Sequence, residues 1–172
     1  IADGHHRAAS AARTRKARAK DGPGEWDRVM AVAFPDNQVQ VLPYNRVVRD
    51  LHGHTLEAFL EALAHRFVVS EGGSPVPAQK GQIAMRLAGR WYSLGVTSAG
   101  QGSRDVAATA LDVDVLEREV LAPLLGIADV RTDKRIEFVG GIRGTTELER
   151  LVDAGAFAVA FSMYPVSLDD LM

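Results

Sequence analysis

The 172-residue chain contains no cysteine. Disulfides, thiolate nucleophiles and cysteine-ligated zinc or iron–sulfur centres are therefore excluded, and the composition fits a reducing, cytoplasmic setting. Charge of one sign is also scarce. Twenty Lys and Arg stand against 22 Asp and Glu, a formal net charge of −2, so no global field draws the chain to nucleic acid or to an anionic membrane. No apolar run approaches a membrane span, and no signal-peptide pattern opens the chain. An initiator methionine is missing. The chain starts inside what reads as a strand and stops at Leu171-Met172 where a helix reads as beginning. It therefore reads as a piece of a longer protein, whose N- and C-terminal parts would be its natural partners.

What is present is ordinary globular material. Apolar residues make up 47 % and charged residues 24 %, which argues against disorder. Residues 1–172 suffice for a single domain with a substantial core.

The opening heptapeptide Ile1-Ala2-Asp3-Gly4-His5-His6-Arg7 carries the most chemistry. A short apolar lead runs into Asp-Gly, two imidazoles and a guanidinium, then an alanine-rich stretch. This pattern predicts a strand, a tight turn and a helix N-terminus. Backbone N–H groups at a helix start carry partial positive charge and suit an anion. Arg7 adds a planar fork of donors matched to phosphate. His5 and His6 each donate, accept or shuttle a proton near neutral pH. The plain alternative is a turn with two histidines pointing to different sides.

Residues 7–20 favour helix, with Arg13, Arg15, Lys16, Arg18 and Lys20 crowding its far end, where cations suit the dipole. The basic run lacks interleaved aromatics and reads as a solvated helix end, which argues against nucleic acid. Asp21 to Gly24 is a stop and turn. Arg28 to Phe34 and Gln38 to Leu42 read as a β-hairpin around Pro35-Asp36-Asn37. The chain then leaves through Pro43, with the polar pair Asn45-Arg46 in apolar surroundings.

Thr55 is a good N-cap for a helix carrying Leu56, Phe59, Leu60, Leu63 and Phe67. Residues 70–81 read as a loop. Ile83 to Leu87 and Trp91 to Val96 read as a second hairpin, and Ser98 to Ser103 as a flexible stretch. A helix follows over Val113 to Leu125, kinked or ended by Pro123. Arg135 to Val139 reads as a strand. Thr145 or Thr146 caps a helix to Asp153, stopped at Gly155. Ala156 to Met163 is a last strand, and Ser167 begins another helix. The order predicts an α+β fold: a mixed β-sheet built from hairpins and single strands, with helices packed on it.

A second candidate turn, Gly140-Gly141-Ile142-Arg143-Gly144, follows a strand and precedes a helix. Glycines there let backbone N–H groups approach a ligand, and Arg143 offers charge. The turn matches neither the Walker A pattern nor the dinucleotide fingerprint, so tight-turn geometry is the competing reading. His5, His6, His52 and His54 could supply nitrogens to a metal, but their spacing matches no standard ligand set, so no metal site is assigned. His65 reads as structural.

The whole chain resembles the prokaryotic proteins grouped as domain-of-unknown-function family 1015. The resemblance rests on the opening heptapeptide, Leu42-Pro43-Tyr44-Asn45-Arg46, Trp91-Tyr92, Leu124-Leu125-Gly126-Ile127, Arg135-Ile136-Glu137-Phe138-Val139-Gly140-Gly141, Ala160-Phe161 and Tyr164-Pro165, in the family's order. It implies a parent roughly twice as long, with a large segment before the motif. A second, local resemblance links Asp3-Gly4-His5-His6-Arg7 to the motif of archaeal free-serine kinases, which group with chromosome-partitioning ParB proteins and sulfiredoxins. All three set a Gly-x-x-Arg-like turn and a helix N-terminus against nucleotide phosphates. The sulfiredoxin turn reads Gly-Cys-His-Arg. Gly4, His6 and Arg7 match it and His5 replaces the reactive cysteine, which removes sulfinic-acid repair and leaves the kinase comparison. In the kinases a catalytic carboxylate lies before the motif.

These readings predict an enzyme fragment that binds a nucleotide or another phosphorylated small molecule, with ATP or ADP and magnesium as cofactors. Gly4, His6 and Arg7 would bind phosphate, and Asp3, His5 and His6 would serve catalysis. Asn45, Arg46, Gly140, Gly141 and Arg143 are secondary phosphate candidates. Phosphoryl transfer to a small hydroxyl compound is the concrete form, since it needs mainly positioning and charge neutralisation. The alternatives are a non-catalytic nucleotide-binding regulatory module of the ParB kind, and a phosphatase.

Overall fold

The computed structural model describes residues 4–96, 111–167 and 170. They fall into two compact units, one reaching to Gln40 and one spanning Val41–Asp170.

The first unit is built on helix α1, His5–Ala17. Its alanines are the strongest helix formers, and Arg15 and Lys16 occupy the last turn, where the dipole favours cations. The helix ends before the expected residue 20. Arg18 leaves helical geometry (φ −101°, ψ 12°), and Ala19–Asp21 forms a 3-10 turn. The Arg18 guanidinium sits 3.9 Å from the Trp26 ring centroid and donates to Asp21 at 2.8 Å. Arg15 donates to Asp27 at 3.1 Å. These contacts tie the 3-10 turn Glu25–Asp27 back to the helix.

The hairpin expected over 28–42 does not form. The two segments carry no strand pairing, and Asp36–Gln38 is a 3-10 turn. Val29, Met30, Val32 and Phe34 are exposed, Met30 by 90 %. An alternating apolar pattern marks a segment able to pair, but the pairing itself needs a partner strand that local pattern does not provide.

The second unit is a six-stranded sheet in the order β2-β4-β3-β6-β1-β5. Its strands are β1 Tyr44–Val48, β2 Phe67–Glu71, β3 Gln82–Leu87, β4 Arg90–Val96, β5 Ile136–Gly140 and β6 Val159–Ser162. The α+β class stands. Every pairing is antiparallel, so the sheet is not mixed. Strand direction depends on which strands become neighbours, and β6 inserts between β3 and β1, two partners remote in sequence. The β3–β4 hairpin lies where expected. Two strands differ from expectation. β1 begins directly after Pro43, and β2 starts at Phe67, a residue read as helical. Edge strand β2 has an exposed face (Val68 is 59 % exposed), so it lacks the apolar run that signals a buried strand.

Helix α2, Leu56–Ala64, is capped by Thr55, whose Oγ1 accepts from the Ala58 N–H at 3.2 Å. Helix α3, Asp112–Leu116, widens into a π-helical turn over Glu117–Leu121, with the Ala122 N–H bonded to the Glu117 carbonyl at 3.0 Å. The widening falls just before Pro123, whose ring and missing N–H disrupt regular α-helical bonding. Helix α4, Gly144–Asp153, takes Arg143 as its N-cap, one turn of 3-10 helix after β5, so Thr145 and Thr146 lie inside it. At Ser167, Oγ accepts the Asp170 N–H at 3.0 Å, as a helix cap would. The stretch 98–103 lies outside the described residues.

The sheet buries both faces. Strand positions alternate between faces, so Val48, Ile83, Met85, Tyr92 and Phe161 join Phe59 and Leu63 of α2 and Val115 and Leu116 of α3 in one core. Val47, Ala84, Trp91 and Val139 meet Leu148 and Val152 of α4 on the other. Polar anchors fix α4 in place. Arg86 grips Asp153 through both carboxylate oxygens, at 2.8 and 3.0 Å, and the Trp91 indole donates to Glu149 at 2.8 Å. Among the described residues, no helix is long and apolar enough to cross a membrane.

Candidate functional site

Gly4 is the N-cap of α1 and sits at φ 90°, ψ 20°, a left-handed conformation that glycine adopts without penalty. Its carbonyl accepts the Ala8 N–H at 2.8 Å, so the thirteen-residue helix starts from it. Glycine brings no capping side chain, and the first turn holds no acidic residue to offset the positive end of the dipole. The Arg7 guanidinium folds back over this end. A Cβ placed on Gly4 would lie 3.5 Å from both Arg7 Nε and Nη2. Both His6 and Arg7 are exposed. His5 is the first helical residue. Asp3 lies outside the described residues.

The basic end of α1 is more committed than its composition suggests. Arg15 and Arg18 are engaged with Asp27 and Asp21 respectively, which leaves them satisfied inside the first unit.

Asn45, Arg46, Gly140, Gly141 and Arg143 belong to the second unit, and the structure sets the first three on neighbouring strands β1 and β5, with Gly141 just past the end of β5. Tyr44 pairs with Gly140, Asn45 with Val139 and Arg46 with Phe138. Asn45 is 1 % exposed, and its Oδ1 accepts the Met163 N–H at 3.0 Å just past the end of β6. Gly141 is required by close approach, since a Cβ there would lie 2.6 Å from the Pro43 carbonyl oxygen. Gly140 has an ordinary extended backbone and open space where a Cβ would go. Arg143 reaches Glu147 at 3.9 Å and is largely exposed. Packing and turn geometry therefore account for Asn45, Gly141 and Arg143.

Arg46 is different. It is 6 % exposed, and among the described residues its one hydrogen bond runs from Nη1 to the Tyr44 carbonyl. Its Nε is buried without a partner. Burial holds the guanidinium below the usual arginine range, against the opposing pull of Glu117, Tyr44 and Asp114. Its Cζ lies 5.4 Å from the Phe138 ring centroid, and Phe138 stacks on Tyr44 with centroids 5.2 Å apart and planes 12° from parallel. Tyr44 and Phe138 remain 57 % and 37 % exposed. Sequence reasoning singled out Arg46 but missed its surroundings. Tyr44 and Phe138 entered only as members of the family's motifs, and Glu117 was not singled out.

Two further polar clusters have no motif. Buried Asp112 accepts the Gly81 N–H at 2.8 Å, and burial pushes its carboxyl above the ordinary aspartate value. Lys80, Tyr164 and Asp170 line a cavity of about 10 Å³ with it. Lys80 bonds Asp170 at 2.7 Å and, with Ser167, holds that carboxyl down to about 2. Arg135 donates to Asp133 at 2.8 Å and to the carbonyls of Leu125 and Gly126 at 3.0 and 3.1 Å, and lies 3.3 Å from His52 Nδ1. His52 thereby closes a structural clip. His54 tilts onto Phe59 at 6.3 Å. Among the described residues, no three His, Cys, Asp or Glu side chains gather as metal ligands.

The second unit is thus an antiparallel sheet with a core on each face, and the first opens with a glycine-capped, arginine-bearing helix. The family described as "Protein of unknown function (DUF1015)" matches residues 1–115, from the opening motif into α3. The chain belongs to that family. Comparison with curated proteins and with solved structures finds no match.

Proposed function

We propose that the chain binds a nucleotide or another phosphorylated small molecule at the Gly4–Arg7 turn and transfers a phosphoryl group to a small hydroxyl compound. One observation carries this reading: the Arg7 guanidinium lies over a left-handed Gly4 at the start of α1. The dipole end and a bidentate cation fall within one turn of chain, the pairing that suits a phosphate. A larger residue at position 4 would need both a disfavoured backbone and the space beside Arg7.

In this reading Arg7 and His6 hold phosphate oxygens. His5 accepts the proton of the acceptor hydroxyl. The acceptor oxygen forms the new P–O bond while the bond to the nucleoside diphosphate breaks, and ADP leaves with that electron pair. Asp3, the one carboxylate of the motif, would fix a histidine tautomer or hold the magnesium that accompanies a nucleotide. No cluster of metal ligands stands elsewhere among the described residues, so magnesium would be held chiefly by the phosphates themselves.

The test is thermal unfolding of the chain with ATP, ADP, CTP and inorganic phosphate, each with magnesium, beside Arg7→Ala. A ligand at 100 times its dissociation constant stabilises by about 2.7 kcal/mol. The reading expects one nucleotide to stabilise the chain and not the variant, followed by phosphorylation of an added hydroxyl compound. Release of inorganic phosphate alone would favour the phosphatase. Binding without turnover would favour the regulatory module. No shift with any ligand would end the nucleotide reading.

A further inference from the structure

Arg46 is buried in the second unit without an ion-pair partner among the described residues. Among the described residues, no carboxylate comes within ion-pair distance of it, and its Nε has no acceptor. Buried arginines are ordinarily paired with an acid or hydrogen-bonded throughout. An arginine left in this state is a place where a group supplied from outside can pair.

The surroundings say what such a group is attached to. Residues 44 and 46 share a face of β1, and Phe138 sits opposite Arg46 on β5. The stacked pair Tyr44–Phe138 is therefore a partly exposed aromatic stack beside the guanidinium. A further ring laid against the exposed side of that stack would bring its own anionic substituent towards Arg46. The carboxylates whose charge reaches Arg46 are Asp114 of α3 and Glu117, the first residue of the π-helical turn. Their charge disfavours a densely charged ligand such as a triphosphate and leaves a sparsely charged one the better match. π-Turns recur at functional sites.

We infer that the Tyr44–Arg46–Phe138 face is a second binding site, for a planar ring that carries one anionic group. Both a nucleoside monophosphate and an aromatic carboxylate have this chemistry. The site belongs to the sheet unit and stands independently of the Gly4–Arg7 turn.

Ligand-observed NMR titration of the chain tests it with four probes: AMP, benzoate, ribose 5-phosphate and adenosine. The inference expects AMP or benzoate to bind at least about tenfold more tightly than the ring-free anion and the uncharged ring. Benzoate alone would identify a carboxylate, and AMP alone a phosphate monoester. Arg46→Gln weakens that binding about tenfold, and Arg46→Lys does not restore it, because an ammonium lacks the planar fork. Tyr44→Ala, at an exposed side chain, weakens it in a chain that remains folded, so the test survives if the Arg46 variants do not fold. Circular dichroism checks each variant. Equal binding of ring-bearing and ring-free anions would overturn the inference, as would no binding of any probe, or affinities unchanged in Tyr44→Ala. AMP binding abolished by Arg7→Ala and untouched by Arg46→Gln would place the nucleotide at α1 and overturn this site while leaving the other reading intact.

Discussion

The side-chain Oδ1 of Asn45 accepts the backbone N–H of Met163 at 3.0 Å. The two residues are 118 positions apart in the chain, and both are buried. β6 ends at Ser162, so the next N–H has no strand partner, and the amide of β1 takes the place of a ladder bond. Asn45→Ala strands that N–H in the interior, at a cost of about 1–3 kcal/mol. Urea unfolding is expected to show a lower midpoint at an unchanged slope. Asn45→Asp keeps an acceptor but buries a charge, and is expected to be at least as destabilising at pH 7.

Gly140 and Gly141 are adjacent and chemically identical, yet they should respond differently to a methyl group. At Gly141 a Cβ would come 2.6 Å from the Pro43 carbonyl oxygen, whereas at Gly140 it would meet nothing within 4 Å. Gly141→Ala is expected to destabilise by about 1–3 kcal/mol through forced backbone shifts. Gly140→Ala should change stability by no more than about 0.5 kcal/mol. Parallel thermal melts decide the matter, and equal effects at both positions would contradict the packing described here.

The β3–β4 turn contains Ala88 at φ 47° and Gly89 at φ 75°. An alanine in the left-handed region is strained, whereas asparagine tolerates it and is favoured at the first position of this turn type. Ala88→Asn is expected to stabilise by about 1 kcal/mol. The gain should appear as a higher melting temperature without any change in ligand binding.

Two carboxyls on either side of one small cavity should give opposite pH responses. Burial raises Asp112, so its contribution is fully present below the unfolded value and is lost as pH rises through the folded value. Asp112→Asn keeps an oxygen for the Gly81 N–H and removes the buried charge. The variant is expected to be more stable than the parent at pH 7 and to lose this pH dependence. Lys80 holds Asp170 down to about 2, so that contribution is present above the ordinary aspartate value and disappears as pH falls towards 2. Lys80→Met is expected to weaken the chain at neutral pH and to flatten the acid limb. Thermal melts across the pH range read both effects.

The polar anchors of the sheet show how far pattern carries an argument. Trp91 and Arg86 read as residues of a hairpin, and they are so. That Trp91 meets Glu149 and Arg86 meets Asp153 depends on α4 crossing β3 and β4, and no local signal encodes that crossing. Arg46 was conspicuous in sequence as a charge among apolar neighbours. Its missing partner became visible only once Phe138, Tyr44 and Glu117 had been placed around it.

The α+β class, the β3–β4 hairpin, the helix that Thr55 caps and the helix start after Gly4 were all legible in the sequence alone. Each rests on contacts within a few residues: periodic apolar faces, a capping oxygen, a glycine where φ must be positive. Tertiary structure alone decided that the sheet is antiparallel throughout, that β6 lies between β3 and β1, and that Arg28–Phe34 stays unpaired while Tyr44–Val48 becomes a central strand. Strand hydrogen bonds join residues far apart in the chain. A segment's own apolar alternation shows that it can pair, and only the partner's position decides whether it does.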